Sequence, residues 1–160
     1  MNKFPERIYI NEEVRKAKKL INKGYKHRLR TKGSPIFKQK VKQALKLVKT
    51  AGYYDFLRKY IRCVKETDGL TQLRESEASI WANKYAVENP VDAASLLIQK
   101  ANQMKEYLEG KLYYSGTAEK RLIQKRIAFL KTLKRKSRKE EVKTECERLL
   151  EVWSESALVY

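Results

Sequence analysis

The sequence predicts an all-α fold, a compact irregular bundle of about seven helices in a single domain over residues 1–160. Three observations carry that expectation. Apolar residues recur at intervals of three and four along most of the chain. Several segments open on helix-capping signatures. Only 6 Gly and 3 Pro occur, few for a sheet that depends on many tight turns. A short helical-hairpin array fits the same pattern, because amphipathic helices joined by tight turns describe bundles and arrays alike.

The elements follow in order. Asn11 precedes Glu12 and Glu13, so an N-cap leads into carboxylates at the positive end of a helix dipole. Val14, Ala17, Leu20 and Ile21 continue at helical spacing, and Gly24 is placed to end the helix in the left-handed conformation. Residues 25–33 (YKHRLRTKG) read as a basic loop. Ser34 and Pro35 then form an N-cap followed by Pro at the first helical position, where its missing N–H costs nothing. From Ile36 to Ala51 one half of the helical wheel is apolar, while Lys38, Lys42, Lys46 and Lys49 occupy the other half; Gly52 interrupts the pattern. Residues 53–66 carry two stripes, Leu57/Ile61/Val64 and Phe56/Tyr60/Cys63, which predicts a helix buried on more than one side and therefore central.

Thr67-Asp68-Gly69 is a turn, and Leu70, Leu73, Ile80, Trp81 and Tyr85 mark a further helix. Asn89-Pro90 repeats the cap-plus-Pro signature ahead of the cleanest amphipathic pattern in the chain, Val91, Ala94, Leu97, Ile98, Ala101, Met104 and Leu108. Residues 110–116 (GKLYYSG) are a connection, and 117–136 are helical by Leu122, Ile123, Ile127, Leu130 and Leu133. Ser137 and Glu140 have the spacing of a capping box, which starts the last helix with Val142, Cys146, Leu149, Leu150, Trp153 and Ala157 inward. The one β-like piece, residues 7–10, is too short to build a sheet alone.

Composition directs the functional reading. Hydrophobic residues are 42% of the chain, enough for a core, and 37 Lys+Arg against 19 Asp+Glu leave a net charge of +18. A surface so charged attracts polyanions: nucleic acid, acidic proteins or anionic lipid. The charge is blocked. Residues 1–65 hold 20 basic and 4 acidic side chains, and residues 111–139 hold 11 and 1, whereas 66–110 and 140–160 are each net acidic by 4. The two basic blocks supply the candidate polyanion-binding residues. In the first these are Lys19, Lys23, Lys26, Arg28, Arg30 and Lys32, in a loop that also holds Tyr25 and the one histidine, His27. In the second they are Arg121, Lys125, Lys134 and Arg135. Clustered cations hold phosphates by releasing counterions and need little exact geometry, so RNA or DNA is the expected ligand. The alternative is a protein–protein adaptor that meets an acidic partner, with Tyr113, Tyr114 and Trp153 marking the interface. Arg126 is the odd member of the second block, because it falls inside the apolar arc between Leu122 and Leu130; a carboxylate in the 70–77 or 140–151 segment is its expected partner, or else it lines a groove.

Catalytic constellations are missing. No metal-ligand spacing, Gly-rich phosphate loop or nucleophile–base–orienter set is present, so the expectation is a non-enzymatic protein without cofactor or metal. Cys63 and Cys146, each on an apolar helical stripe, read as reduced core thiols. With no secretory h-region at Met1–Glu6 and no apolar run of membrane-spanning length, the expected location is cytoplasmic or nuclear.

Overall fold

The computed structural model describes residues 15–16, 18–19, 28–110 and 116–159. It is not an all-α bundle of about seven helices, nor a helical-hairpin array. Among residues 28–110 and 116–159 five α-helices pack with a four-stranded mixed sheet. The strands are β1 (Arg30–Lys32), β2 (Cys63–Thr67), β3 (Gln72–Arg74) and β4 (Ser79–Asn83), and the helices are α1 (Pro35–Ala51), α2 (Tyr54–Tyr60), α3 (Pro90–Leu108), α4 (Gly116–Lys136) and α5 (Glu140–Val159). The strand order is β1-β2-β4-β3; β1, β2 and β4 run parallel, and β3 closes one edge antiparallel to β4. The predicted helix over 11–24 and the β-like residues 7–10 lie almost wholly outside the described residues; Arg15, Lys16, Lys18 and Lys19 are helical.

The correction lies between residues 30 and 83. The segment read as a basic loop ends in β1. The helix read over 53–66 stops at Tyr60, where Ile61 turns to extended backbone at φ −122° and ψ 128°. Its stripes are thus a two-turn helix followed by a strand, whose inward Val64 happens to continue the three-to-four spacing. The helix read from Leu70 to Tyr85 is a hairpin, β3 and β4, joined through a 3₁₀ turn at Glu75–Glu77. Leu70, assigned to the buried stripe, is 87% exposed. β-Branched and aromatic side chains suit a pleated, half-buried surface, and Val64 and Thr67 in β2 with Ile80 and Trp81 in β4 supply them.

The capping signatures at Ser34-Pro35 and Asn89-Pro90 hold. Ser34 Oγ accepts from Phe37 N at 3.2 Å, with Pro35 next in the first turn. Gly52 is left-handed at φ 81°; its N–H and that of Tyr53 donate to Lys49 and Val48 carbonyls, both at 3.0 Å, and close α1. Asn89 Oδ1 accepts from the N–H groups of Val91 and Asp92, 3.0 and 3.1 Å away, and Pro90 opens α3. At residues 137–140 the chain does break between α4 and α5, but by a different bond from a capping box: Ser137 Oγ accepts from Lys139 N, while Ser137 N donates to Leu133 O.

The central helix is α3, not the 53–66 segment. It packs on α1, α2, α4, α5 and β3. Small Ala93, Ala94, Ser95 and Ala101, all buried, let its neighbours approach closely on several sides. Val64, Ile80, Ala82 and Leu73 from the sheet join Phe37, Val41, Leu97, Ile98, Phe129 and Leu130 from the helices in one buried apolar cluster.

β1 meets α1 at Gly33. Its φ is +154°, and a Cβ there would come within 2.8 Å of Glu66 Cβ and Phe37 Cδ2. Glu66 also accepts a hydrogen bond from Ser34 N at 2.8 Å. The tight approach holds β1 against β2. Gly33→Ala is therefore expected to cost about 1–3 kcal/mol, from backbone strain and crowding together; urea denaturation measures it, and a change below about 0.5 kcal/mol contradicts the role of this junction.

Candidate polyanion interface

Register sorts the sheet's side chains onto two faces. Residues paired across neighbouring strands share a face, and residues alternate along a strand. Thr31, Val64, Ile80 and Leu73 form one row, joined by Glu66 and Ala82, and point toward the apolar cluster. The opposite face carries two rows: Arg30, Cys63, Ser79 and Arg74, then Lys32, Lys65, Trp81 and Gln72. These rows hold four cations, one aromatic ring and no carboxylate. None of these side chains belongs to the buried apolar cluster. Arg30, Lys32 and Lys65 are exposed, and Arg74 and Trp81 are half-buried. Lys65 Nζ lies 4.8 Å and Arg74 Cζ 4.1 Å from the Trp81 ring centroid. At these distances the ring quadrupole attracts both cations and holds them together despite their mutual repulsion. Cys63 sits amid them; Lys32, Lys65 and Arg30 pull its thiol pKa down, but desolvation outweighs them and the net shift is upward.

The residues expected to bind are divided by the structure. Arg30 and Lys32 stand on the basic sheet face, with exposed Arg28 just before β1. Lys19 is exposed on a helical stretch, and Lys23 and Lys26 lie outside the described residues. Of the second group, Arg121 grips Glu106 of α3 through two hydrogen bonds, Nε to Oε2 at 3.2 Å and Nη2 to Oε1 at 3.0 Å. Lys134 pairs with Glu147 of α5 at 3.1 Å. Both are helix–helix links with their charge already answered. Lys125 and Arg135 are exposed on α4. Lys65, Arg74 and Trp81 were missed because their strands were read as helices; neither Cys63–Thr67 nor Ser79–Asn83 alternates apolar with polar, and the local hint is their β-branched and aromatic content, Val64, Thr67, Ile80 and Trp81.

Arg126 answers to neither predicted acidic segment. It is 4% exposed, and its partners are on α3: Nε donates to Ser95 Oγ at 2.8 Å, Nη1 to Gln99 Oε1 at 2.8 Å, and Nη2 to Asp92 Oδ1 at 2.7 Å. Trp153 of α5 stacks on the guanidinium at 4.2 Å from its ring centroid. One face of α3 thus surrounds a cation that the protein itself supplies, and the half-buried Trp153 stacks against it. Tyr113 and Tyr114 lie outside the described residues.

Other features are less suited to an anionic polymer. A cleft of about 730 Å³ between α1, α3 and α5 has Lys46 and Lys139 on its wall, but also Glu88, Glu141 and Glu145. Glu145 accepts from Asn89 at the cap of α3 and from Arg148, bonds that hold its carboxyl below the usual carboxylate range. Among the described residues no group of three His, Cys, Asp or Glu is placed to hold a metal ion, and no helix is long and apolar enough to cross a membrane. Cys63 and Cys146 are both free thiols, and Cys63 stands on a strand rather than a helical stripe. In comparisons with protein-family models, curated proteins and solved structures, nothing matches this chain.

Proposed function

We propose that this is a non-enzymatic protein that binds RNA or DNA through phosphates, using the basic face of its sheet. The observation that carries the reading is the two-row array of Arg30, Arg74, Lys32 and Lys65 around Trp81, with no carboxylate in either row. Across the first row Arg30 and Arg74 stand three strand spacings apart, roughly 14 Å, and across the second Lys32 and Lys65 stand one spacing apart, roughly 5 Å. Trp81 offers a surface for base stacking once a phosphate draws Lys65 or Arg74 aside. Such a role needs counter-charge and no reacting group. A cytoplasmic or nuclear setting belongs to the same reading and agrees with two free thiols.

The test uses fluorescence anisotropy with labelled random RNA and DNA oligonucleotides over a salt series. Removing four charges from the face (Arg30→Gln, Lys32→Gln, Lys65→Gln, Arg74→Gln) should weaken binding by more than about tenfold. It should also flatten the log–log salt slope by about 3 for a single strand, at about 0.7 per lost phosphate contact. A control that removes the same charge from exposed positions on α4 (Lys120→Gln, Lys125→Gln, Lys131→Gln, Arg135→Gln) should leave most of the affinity and slope in place. Bound oligonucleotide should in addition slow alkylation of Cys63. Cys146, fully buried with its thiol pushed up to about 11, is the slow internal reference. Equal losses in the two quadruple variants would show a diffuse charge effect and remove the sheet from the reading. Absence of binding at low salt would end it, and capture of an acidic protein in place of nucleic acid would favour the adaptor alternative.

A further inference from the structure

The basic sheet face has a width and an inner ring that bear on the form of nucleic acid it takes. Arg30 on β1 and Arg74 on β3 mark its edges, with two strands between them. The roughly 14 Å between those edges exceeds the roughly 12 Å of a B-form major groove, which admits one α-helix or a two-stranded ribbon. The B-form minor groove is about half as wide, and the A-form major groove is deep and narrow. A four-stranded face therefore enters none of these grooves and meets a duplex along its sugar–phosphate backbone. Trp81 is the second observation. It stands on β4, an inner strand, yet it is neither in the buried apolar cluster nor among the half-buried apolar residues packed against it, a set that does include Trp153. The groups over its ring are two cations, and they are held differently. Lys65 is exposed with Nζ 4.8 Å from the centroid, whereas Arg74 is half-buried with Cζ at 4.1 Å. An exposed ammonium on a flexible stem is the more easily drawn away, and a planar guanidinium is the firmer stack.

We infer, resting on the nucleic-acid reading above, that this face takes a single strand rather than a duplex. An unpaired base displaces Lys65 from the Trp81 ring. Lys65 then joins its neighbour Lys32, one strand away, and Arg30 on the flanking phosphates, while Arg74 keeps its place on the ring. A paired base has no free face to offer, since its neighbours in the stack cover both. Stacking tolerates sequence because every base has a π-face, and Gln72 is the one amide in the two rows, so little base-edge readout is built in. Charge alone predicts the opposite preference: a duplex carries one phosphate charge per ~1.7 Å of axis and attracts a purely cationic face more strongly.

The experiment uses the full chain and one labelled DNA sequence presented in three forms: single-stranded, in duplex with its complement, and as an abasic strand of the same length. The expected result is an affinity for the intact single strand about five- to hundredfold above that for either other form, the range that one stacked base supplies. Trp81→Leu should bring the single strand down to the affinity of the abasic one, and Trp81→Phe, which keeps a ring, should retain most of the preference. Quenching of Trp81 emission on binding, read with Trp153→Phe so that Trp81 is the one tryptophan left of two, reports the stack on an unaltered face even if the leucine variant folds poorly. A duplex or an abasic strand bound as tightly as the intact single strand, or unquenched Trp81 in the bound complex, would each overturn the single-strand assignment and leave the phosphate-binding reading standing. Absence of binding by all three forms at low salt ends that reading, and this inference with it.

Discussion

Arg126→Met is expected to lower the free energy of unfolding by about 3 kcal/mol. The residue is buried, and its guanidinium holds three side chains of α3 and one ring of α5 at once. Removing one partner of a buried ion pair costs about 3–5 kcal/mol, chiefly because the other charge is left without compensation. The lower end applies here because the Asp92 side chain keeps 34% of its surface in solvent and can rehydrate. Ser95 keeps its bond to the Asp92 carbonyl, so the hydroxyl is not orphaned, but Gln99 loses its donor and Trp153 its cation. For a chain of this size the loss corresponds to a fall in Tm of about 6–12 °C. Arg126→Lys should recover only part of it, because an ammonium cannot fork between Ser95, Gln99 and Asp92. Denaturant melts of the three proteins settle the matter; a methionine variant within about 1 kcal/mol of wild type would show that the network contributes little.

Phe129→Ala should produce a loss of about 3–5 kcal/mol by a different route, truncation of a large core side chain. Phe129 is fully buried on α4 and meets the Tyr53 ring edge-on, with centroids 5.1 Å apart. Tyr53 in turn contacts Phe56 at 6.3 Å, so the ring of α4 is keyed into the corner between α1 and α2. That corner leads to Ile61 and β2. A cavity there loosens the anchorage of the sheet as well as the helix packing, and the variant should lose nucleic-acid affinity only in step with its folded fraction. Lys131→Ala, exposed two residues on, is the control and should stay within about 0.5 kcal/mol. An alanine variant as stable as that control would place Phe129 outside the cooperative core.

Much of the helical part was legible because its punctuation is local. A serine or asparagine followed by proline fixes a helix start within three residues, and a left-handed glycine fixes an end; the starts of α1 and α3 and the end of α1 rest on such signals. The sheet was not legible for a matching reason. Its strands are three to five residues long. Over so short a span Leu57, Ile61 and Val64 satisfy a helical period although they lie on a helix, a junction and a strand. Parallel pairing of β1 with β2 joins residues 33 positions apart and that of β2 with β4 residues 16 apart, and no local window registers it.

By itself the sequence determined where α1 and α3 begin, the buried stripes of the long helices, and that a large positive charge needs an anionic partner or a solvated face. Tertiary structure alone decided which cations stand together. Arg30 and Lys32 join Lys65 and Arg74 because strand pairing aligns them on one face, whereas Arg121 and Lys134, just as basic in sequence, are drawn by helix packing onto Glu106 and Glu147. The physical reason is range. Capping and hydrophobic periodicity act over a turn or two of chain, but the charge that a ligand meets is set by side chains brought within a Debye length by the fold.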